Sequence, residues 1–231
     1  MNVWLFGDSY SATDLYTDKR IVTLDMPYEE HWPIKLSQSH YVKNFSASGS
    51  GPDYQIKLLK EEMAKVGPKQ TQQIKVIFFV SHSCRKDFTF WQYPGDAAFS
   101  SVMAQDGEGL SEEDSRMNEY AQHKKFVQNF FKYYEDQHDS FFQNLLELKQ
   151  YSNLFDSMLV VPIFETLSNH ILYKRFGNLL QQTDKFSMSK GQPLFDALGG
   201  ENNHWYPNHS RPEIHNNIFT NLNQWLHNKT H

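Results

Sequence analysis

The run Val76-Ile77-Phe78-Phe79-Val80 narrows the fold more than any other stretch of the chain. Five consecutive β-branched or aromatic residues with no polar alternation describe a strand covered on both faces. Strands of that kind belong to parallel sheets, in which each successive strand is reached by a crossover, usually a helix. The strand is expected over Lys75 to Val80. Asn2 to Phe6 is a second such run, and Met158-Leu159-Val160-Val161-Pro162-Ile163-Phe164 a third, with Pro162 near its end. Tyr41-Val42-Lys43-Asn44-Phe45 is a shorter strand candidate.

Helix-like stretches lie between these runs. Glu29 to Ser39 reads as a short helix or turn. Tyr54 to Val66 carries Ile56, Leu58, Leu59, Met63 and Val66 at near-helical spacing and stops at Gly67-Pro68. Met117 to Tyr151 holds an apolar stripe of Phe126, Phe130, Tyr133, Phe141, Leu145 and Leu148, read as two helices broken near Gln137-His138-Asp139. Pro212 to His227 reads as a last helix, with Pro in its first turn and Ile214, Ile218, Leu222 and Trp225 on one side. The alternation predicts an α/β fold, three layers deep, around a central parallel sheet. At 231 residues the chain fits one domain with insertions around 88–115 and 183–208, where aromatic, acidic and polar residues lack any period.

A net charge of −5 and the lack of a basic run argue against a nucleic-acid partner held through phosphates. No stretch approaches eighteen apolar residues, so no membrane span is expected. One cysteine, Cys84, rules out a disulfide within the chain and makes a cysteine-based zinc site a poor reading. The first residues carry no basic region followed by an apolar core, which predicts a cytoplasmic protein. The sequons at Asn44, Asn208 and Asn228 then read as chance. The sequence does not speak to oligomeric state.

The first strand runs straight into Gly7-Asp8-Ser9-Tyr10-Ser11. Gly-Asp-Ser is ordinary turn chemistry. At the carboxyl end of a strand, however, it also stands where open α/β sheets bind ligands. A serine there becomes a nucleophile when a histidine comes within hydrogen-bond reach. Three other places bear on it. Asn44 to Gly51 is rich in small residues, and an N–H at Gly49 is a candidate oxyanion donor; the same residues also make a simple strand-to-helix turn. Ser81-His82-Ser83-Cys84-Arg85 follows the central strand directly. There His82 or Ser83 could bond an oxyanion, and Arg85 could hold an anionic group or brace a loop. Near the end, His204, His209 and His215 fall at spacings of five and six, which is not the one-turn spacing of two metal ligands on a helix face. A general base on a loop before the last helix is the better reading, and no metal or organic cofactor is expected.

Gly7-Asp8-Ser9-Tyr10-Ser11, the Asn44–Gly49 loop and the late histidine loop together resemble the SGNH/GDSL hydrolase family. The Trp32-Pro33 pair before the second strand is similar to divergent, phage-associated members, for which a virion location is the alternative to the cytoplasm. The resemblance touches both ends and the middle of the chain and leaves the insertions outside. It implies a flavodoxin-like α/β/α fold and a serine nucleophile at Ser9. It also implies oxyanion donors at Ser9 and Gly49, with a third near Ser83, where the family has Asn. The closing histidine is His209, whose position three residues earlier is Tyr206 rather than Asp, or His204, which has Glu201 three before it.

The expected activity is hydrolysis of a small-molecule or carbohydrate acyl ester. His82, Arg85 and Trp91 are the substrate-binding candidates, and Trp91 with Phe88, Phe90 and Tyr93 could stack on a sugar ring. An acyltransferase with the same residues is a variant of this reading. A binding or virion-associated protein that has lost catalysis is the rival.

Overall fold

The computed structural model describes residues 1–8, 11–13, 28–47, 50–80, 129, 139–163, 172–188 and 215–227, and the backbone of 85–86, 99–100, 137–138, 171, 204–205, 209–210 and 212–214. The chain enters as β1 (Asn2–Phe6) and, after a 3-10 turn at Tyr28–Glu30, forms α1 (Trp32–Ser39). Next come β2 (Tyr41–Asn44), α2 (Pro52–Lys65), the single turn α3 (Pro68–Thr71) and β3 (Ile74–Val80). Two-residue strands β4 (Arg85–Lys86) and β5 (Phe99–Ser100) pair with each other. Then follow α4 (Gln137–Ser152), β6 (Ser157–Pro162), α5 (Ile171–Phe176), a 3-10 turn at Gly177–Leu180 and β7 (Phe186–Met188). A last ribbon, β8 (His204–Trp205) with β9 (His209–Ser210), leads into α6 (Pro212–His227).

The main sheet has the order β2-β1-β3-β6-β7, and every pairing in it is parallel. β1, β3 and β6 are buried almost throughout, as their unbroken apolar runs require, while the edge strand β2 is half exposed. Alternate residues of the central strands feed two separate cores. Trp4, Phe6, Val76, Phe78, Met158 and Val160 pack with Ile56 and Leu59 of α2 and with Phe141, Leu145 and Leu148 of α4. Val3, Leu5, Ile77, Phe79 and Val161 pack with Trp32 and Leu36 of α1 and with Ile218, Leu222 and Leu226 of α6. Two helical layers on the two faces of one parallel sheet make the three-layer α/β/α arrangement expected from the sequence.

Aromatic rings fill much of the first core. Phe6 stacks on Phe45 at 5.0 Å and on Phe78 at 5.7 Å, and Trp4 meets Phe45 and Phe155 edge-on. The second layer is tied by polar contacts along α1 and α6. The Trp32 N–H donates to His215 Nδ1 at 3.2 Å, Lys35 Nζ to Asn216 Oδ1 at 2.6 Å, and His40 Nε2 lies 2.8 Å from Asn223 Oδ1. No described helix is long and apolar enough to cross a membrane.

The sequence reading differs from this structure at several places. α2 begins two residues before Tyr54, because Pro52 suits a first helical turn, where its missing N–H costs no hydrogen bond. Gln137, read as a break between helices, is the first residue of α4; the Met117–Glu135 part of that reading lies outside the described residues, save Asn129, which is helical. Phe186–Met188, read as outside the sheet scaffold, is a strand of the main sheet paired with β6, and Phe186 is fully buried. Three residues are too few to display a strand period. The short helix α5 was not foreseen.

Candidate active site

The chain leaves β1 outward to β2 through α1, then returns past β1 to β3 through α2. The two crossovers run in opposite directions across the sheet, so the carboxyl ends of β1 and β3 form a topological switch point, where ligands bind in sheets of this kind. Three of the segments singled out from sequence leave the sheet at this edge: the turn after β1, the loop after β2 and the residues after β3.

The β1 turn is closed by its own backbone. Asp8 O accepts from Ser11 N–H at 3.0 Å, from Ala12 N–H at 2.9 Å and from Ser11 Oγ at 3.2 Å. Asp8, Ser11 and Ala12 are all fully buried. Gly7 stands where a side chain has no room. A Cβ there would lie 2.2 Å from Ser11 Oγ and 2.8 Å from Phe79 Cβ on the neighbouring strand. Behind Phe79 sits Trp32, with ring centroids 5.1 Å apart. The turn therefore rests on β3 directly, and β3 on the head of α1.

The loop after β2 is stitched to the same turn. Phe45 N–H donates to Leu5 O at 2.8 Å and Ala47 N–H to Gly7 O at 3.0 Å, extending the β1–β2 ladder past the end of the strand. Asn44 Nδ2 donates to Ser11 O at 2.8 Å, and Asn44 Oδ1 accepts from Ser46 N–H at 3.0 Å. Ser50 Oγ lies 2.7 Å from Ala47 O and 3.3 Å from Gly7 O. Gln55, buried on the first turn of α2, accepts from Gly7 N–H at 3.3 Å and donates to Ser50 Oγ at 2.6 Å. Every polar group of Gly7 is thus engaged by the second loop or by Gln55.

Of the residues expected in the site, Ser9, Gly49, His82, Ser83, Trp91 and Glu201 lie outside the described residues. Ser9 falls between Asp8 and Ser11, and Gly49 is the residue before Ser50. Arg85 is placed by its backbone, opposite Ser100 in the β4–β5 ribbon, which lies against α2. His204 and His209 stand on adjacent rungs of the β8–β9 ribbon, His204 opposite Ser210 and His209 opposite Trp205. The loop expected before the last helix is therefore a ribbon at both histidines. His215, the third histidine of the cluster, is buried in the α1–α6 seam. Its Nδ1 accepts from Trp32 N–H, and its ring meets His31 edge-on at 5.1 Å. Among the described residues no group of three His, Cys, Asp or Glu side chains converges as metal ligands do.

Sequence reasoning missed Gln55, Ser50, Ser11 and the side chain of Asn44. For Gln55 a signal existed: it stands in phase with Leu59 on the apolar face of α2, where a polar residue needs a buried partner.

No protein-family model matches the chain, and no curated protein does. Among solved structures it is similar to one described as TesA, at 13% identity and a TM-score of 0.49, covering 98% of both chains. It is also similar to the psychrotrophic esterase EstA from Pseudoalteromonas sp. inhibited by monoethylphosphonate, at 12% identity and a TM-score of 0.48, covering 99% of this chain and 100% of that one. At this overlap the likeness is one of general outline; the α/β/α fold rests on the strand order, register and two cores described above.

Proposed function

We propose that the chain is a serine-dependent acyl-ester hydrolase with Ser9 as its nucleophile. The observation that carries this reading is the build of the β1 exit. A turn too crowded for any side chain at Gly7 and tied through its backbone to the loop after β2 stands at the switch point of the sheet. Rigid support of that kind is what a nucleophile and its oxyanion donors require.

In the reaction, Ser9 Oγ attacks the ester carbonyl and passes its proton to His209. The N–H groups of Ser9 and Gly49, with Ser83 as third donor, bind the oxyanion. Collapse of the intermediate expels the alcohol, which takes the proton from the imidazolium. Water, deprotonated by the same histidine, then releases the acid and restores Ser9. Glu201 orients the base, and His204 is the alternative base. A short acyl group on a sugar is the proposed substrate, with Trp91 against the ring and His82 and Arg85 beside it; transfer to a sugar acceptor instead of water is the acyltransferase variant.

Wild type is expected to hydrolyse p-nitrophenyl acetate and to be labelled by a fluorophosphonate probe. Ser9→Ala should abolish labelling and lower kcat at least ~10³-fold. Comparing His209→Ala with His204→Ala identifies the base. A wild type that neither labels nor turns over would sink the reading. It would favour instead a binding protein on the same scaffold, to which Ser83 in place of Asn and Tyr206 in place of Asp point.

A further inference from the structure

We infer that Gln55 and Ser50 form a clamp that sets the spacing of the two oxyanion-bearing loops, and that they are positioning residues for the hydrolysis proposed above, on which this inference rests. Ser9 is two residues past Gly7, and Gly49 is the residue before Ser50. Any drift between Gly7 and Ser50 is therefore a drift between the two backbone donors. Gln55 holds both ends of that distance. Its Oε1 accepts from Gly7 N–H at 3.3 Å, and its Nε2 donates to Ser50 Oγ at 2.6 Å. Ser50 Oγ accepts from Gln55 and has one proton to give, for which Ala47 O at 2.7 Å is the nearer acceptor and Gly7 O at 3.3 Å the second.

The contacts join three elements: the β1 exit, the β2 exit and the first turn of α2. Both side chains are buried, so water does not compete for the bonds. Helix packing alone does not call for an amide at position 55, since Ile56 and Leu59 already anchor α2 in the core. A primary amide offers an acceptor and a donor on one rigid plane. The peptide N–H of Gly7 needs the first, and the hydroxyl of Ser50 takes the second.

The test compares wild type, Gln55→Leu, Ser50→Ala and the double variant in ester hydrolysis, with thermal melting alongside. A misplacement of order 1 Å at the reacting centre costs ~10²-fold in rate. Each single variant should therefore lose ~10–100-fold in kcat, with KM within ~3-fold of wild type. Because the two residues act as one unit, the double variant should be little worse than the worse single one. Ser50→Ala removes only one oxygen and keeps the test open if Gln55→Leu folds poorly. An active wild type beside folded variants with unchanged kcat overturns the clamp alone. So does a loss confined to KM or to melting temperature, or two losses that multiply. A wild type that neither turns over ester nor reacts with fluorophosphonate overturns the hydrolase reading, and the clamp's role falls with it.

Discussion

At Gly7 backbone and space both require glycine: φ is +158°, which L side chains rarely adopt, and a Cβ would collide with its neighbours. The β1 and β3 backbones approach until Phe79 Cβ and Ser11 Oγ occupy the volume that a methyl group would need. Phe79 is held in turn by Trp32, so it has little freedom to retreat. Gly7→Ala should cost about 1–3 kcal/mol of stability, the usual range for overpacking a filled core. It should also lower ester turnover, because the displaced turn leads to Ser9. Urea unfolding and p-nitrophenyl acetate kinetics measure the two effects; a variant as stable as wild type would show that the strands part freely. Gly-Asp-Ser was legible in the sequence because a short turn motif followed an unbroken apolar run. Gln55 was not, because one polar residue in an amphipathic helix does not reveal its partners, and Gly7 and Ser50 reach it only through the fold.

Helices α2 and α4 meet outside the first core through a polar cluster. Lys60 Nζ lies 2.6 Å from Glu147 Oε1, and Tyr151 OH donates to the same oxygen at 3.0 Å. The Glu147 carboxylate raises the Lys60 pKa above its ordinary value, and burial, followed by Glu147, raises that of Tyr151. In both cases the folded state holds the proton more tightly than the unfolded chain. The cluster's contribution is therefore complete below the ordinary range of these groups, near pH ~10, and is lost as pH rises through the raised values. Lys60 is about half exposed, so water screens the pair and its share is about 0.2–1 kcal/mol. Lys60→Gln should lower the melting temperature slightly at pH 8, and the effect should shrink as the pH is raised above ~10; an effect that stays constant would contradict the assignment. At this scale legibility followed length and end signals. The bounds of α6 were readable from Pro212 and its apolar side, and those of β1 from its run. β7 and α5 were too short to show a period, and β7 takes its place from pairing with β6 rather than from its own residues.

For the molecule as a whole, the face that each helix covers follows from the strand order and the handedness of the crossovers. Parallel crossovers are right-handed, so the opposite directions of the first two put α1 and α2 on opposite faces. What the sequence could not supply was the full membership of the two cores, which meet only through the sheet. Their separation has a measurable consequence. Leu145 belongs to one core and Leu222 to the other. Leu145→Ala and Leu222→Ala should each cost about 2–5 kcal/mol. Because no partner is shared, the double variant should equal the sum to within about 0.5 kcal/mol. Denaturant unfolding of the three variants measures this, and a coupling above 1 kcal/mol would mean that the sheet transmits packing strain between its faces.

The two layers also differ in when they can form. α2 lies just before β3, and α4 comes between β3 and β6, so the core they cover is made before α6. The opposite face of β1 waits for α6, whose Ile218, Leu222 and Leu226 cover Val3 and Leu5, and whose Leu226 carbonyl accepts from Lys75 Nζ at 3.1 Å. During synthesis one face of the sheet therefore closes while the other, covered only by α1, is still partly open to water. The candidate nucleophile's own strand is made well before the last helix that seals it, which leaves part of that face to chaperones, or to aggregation, until α6 emerges.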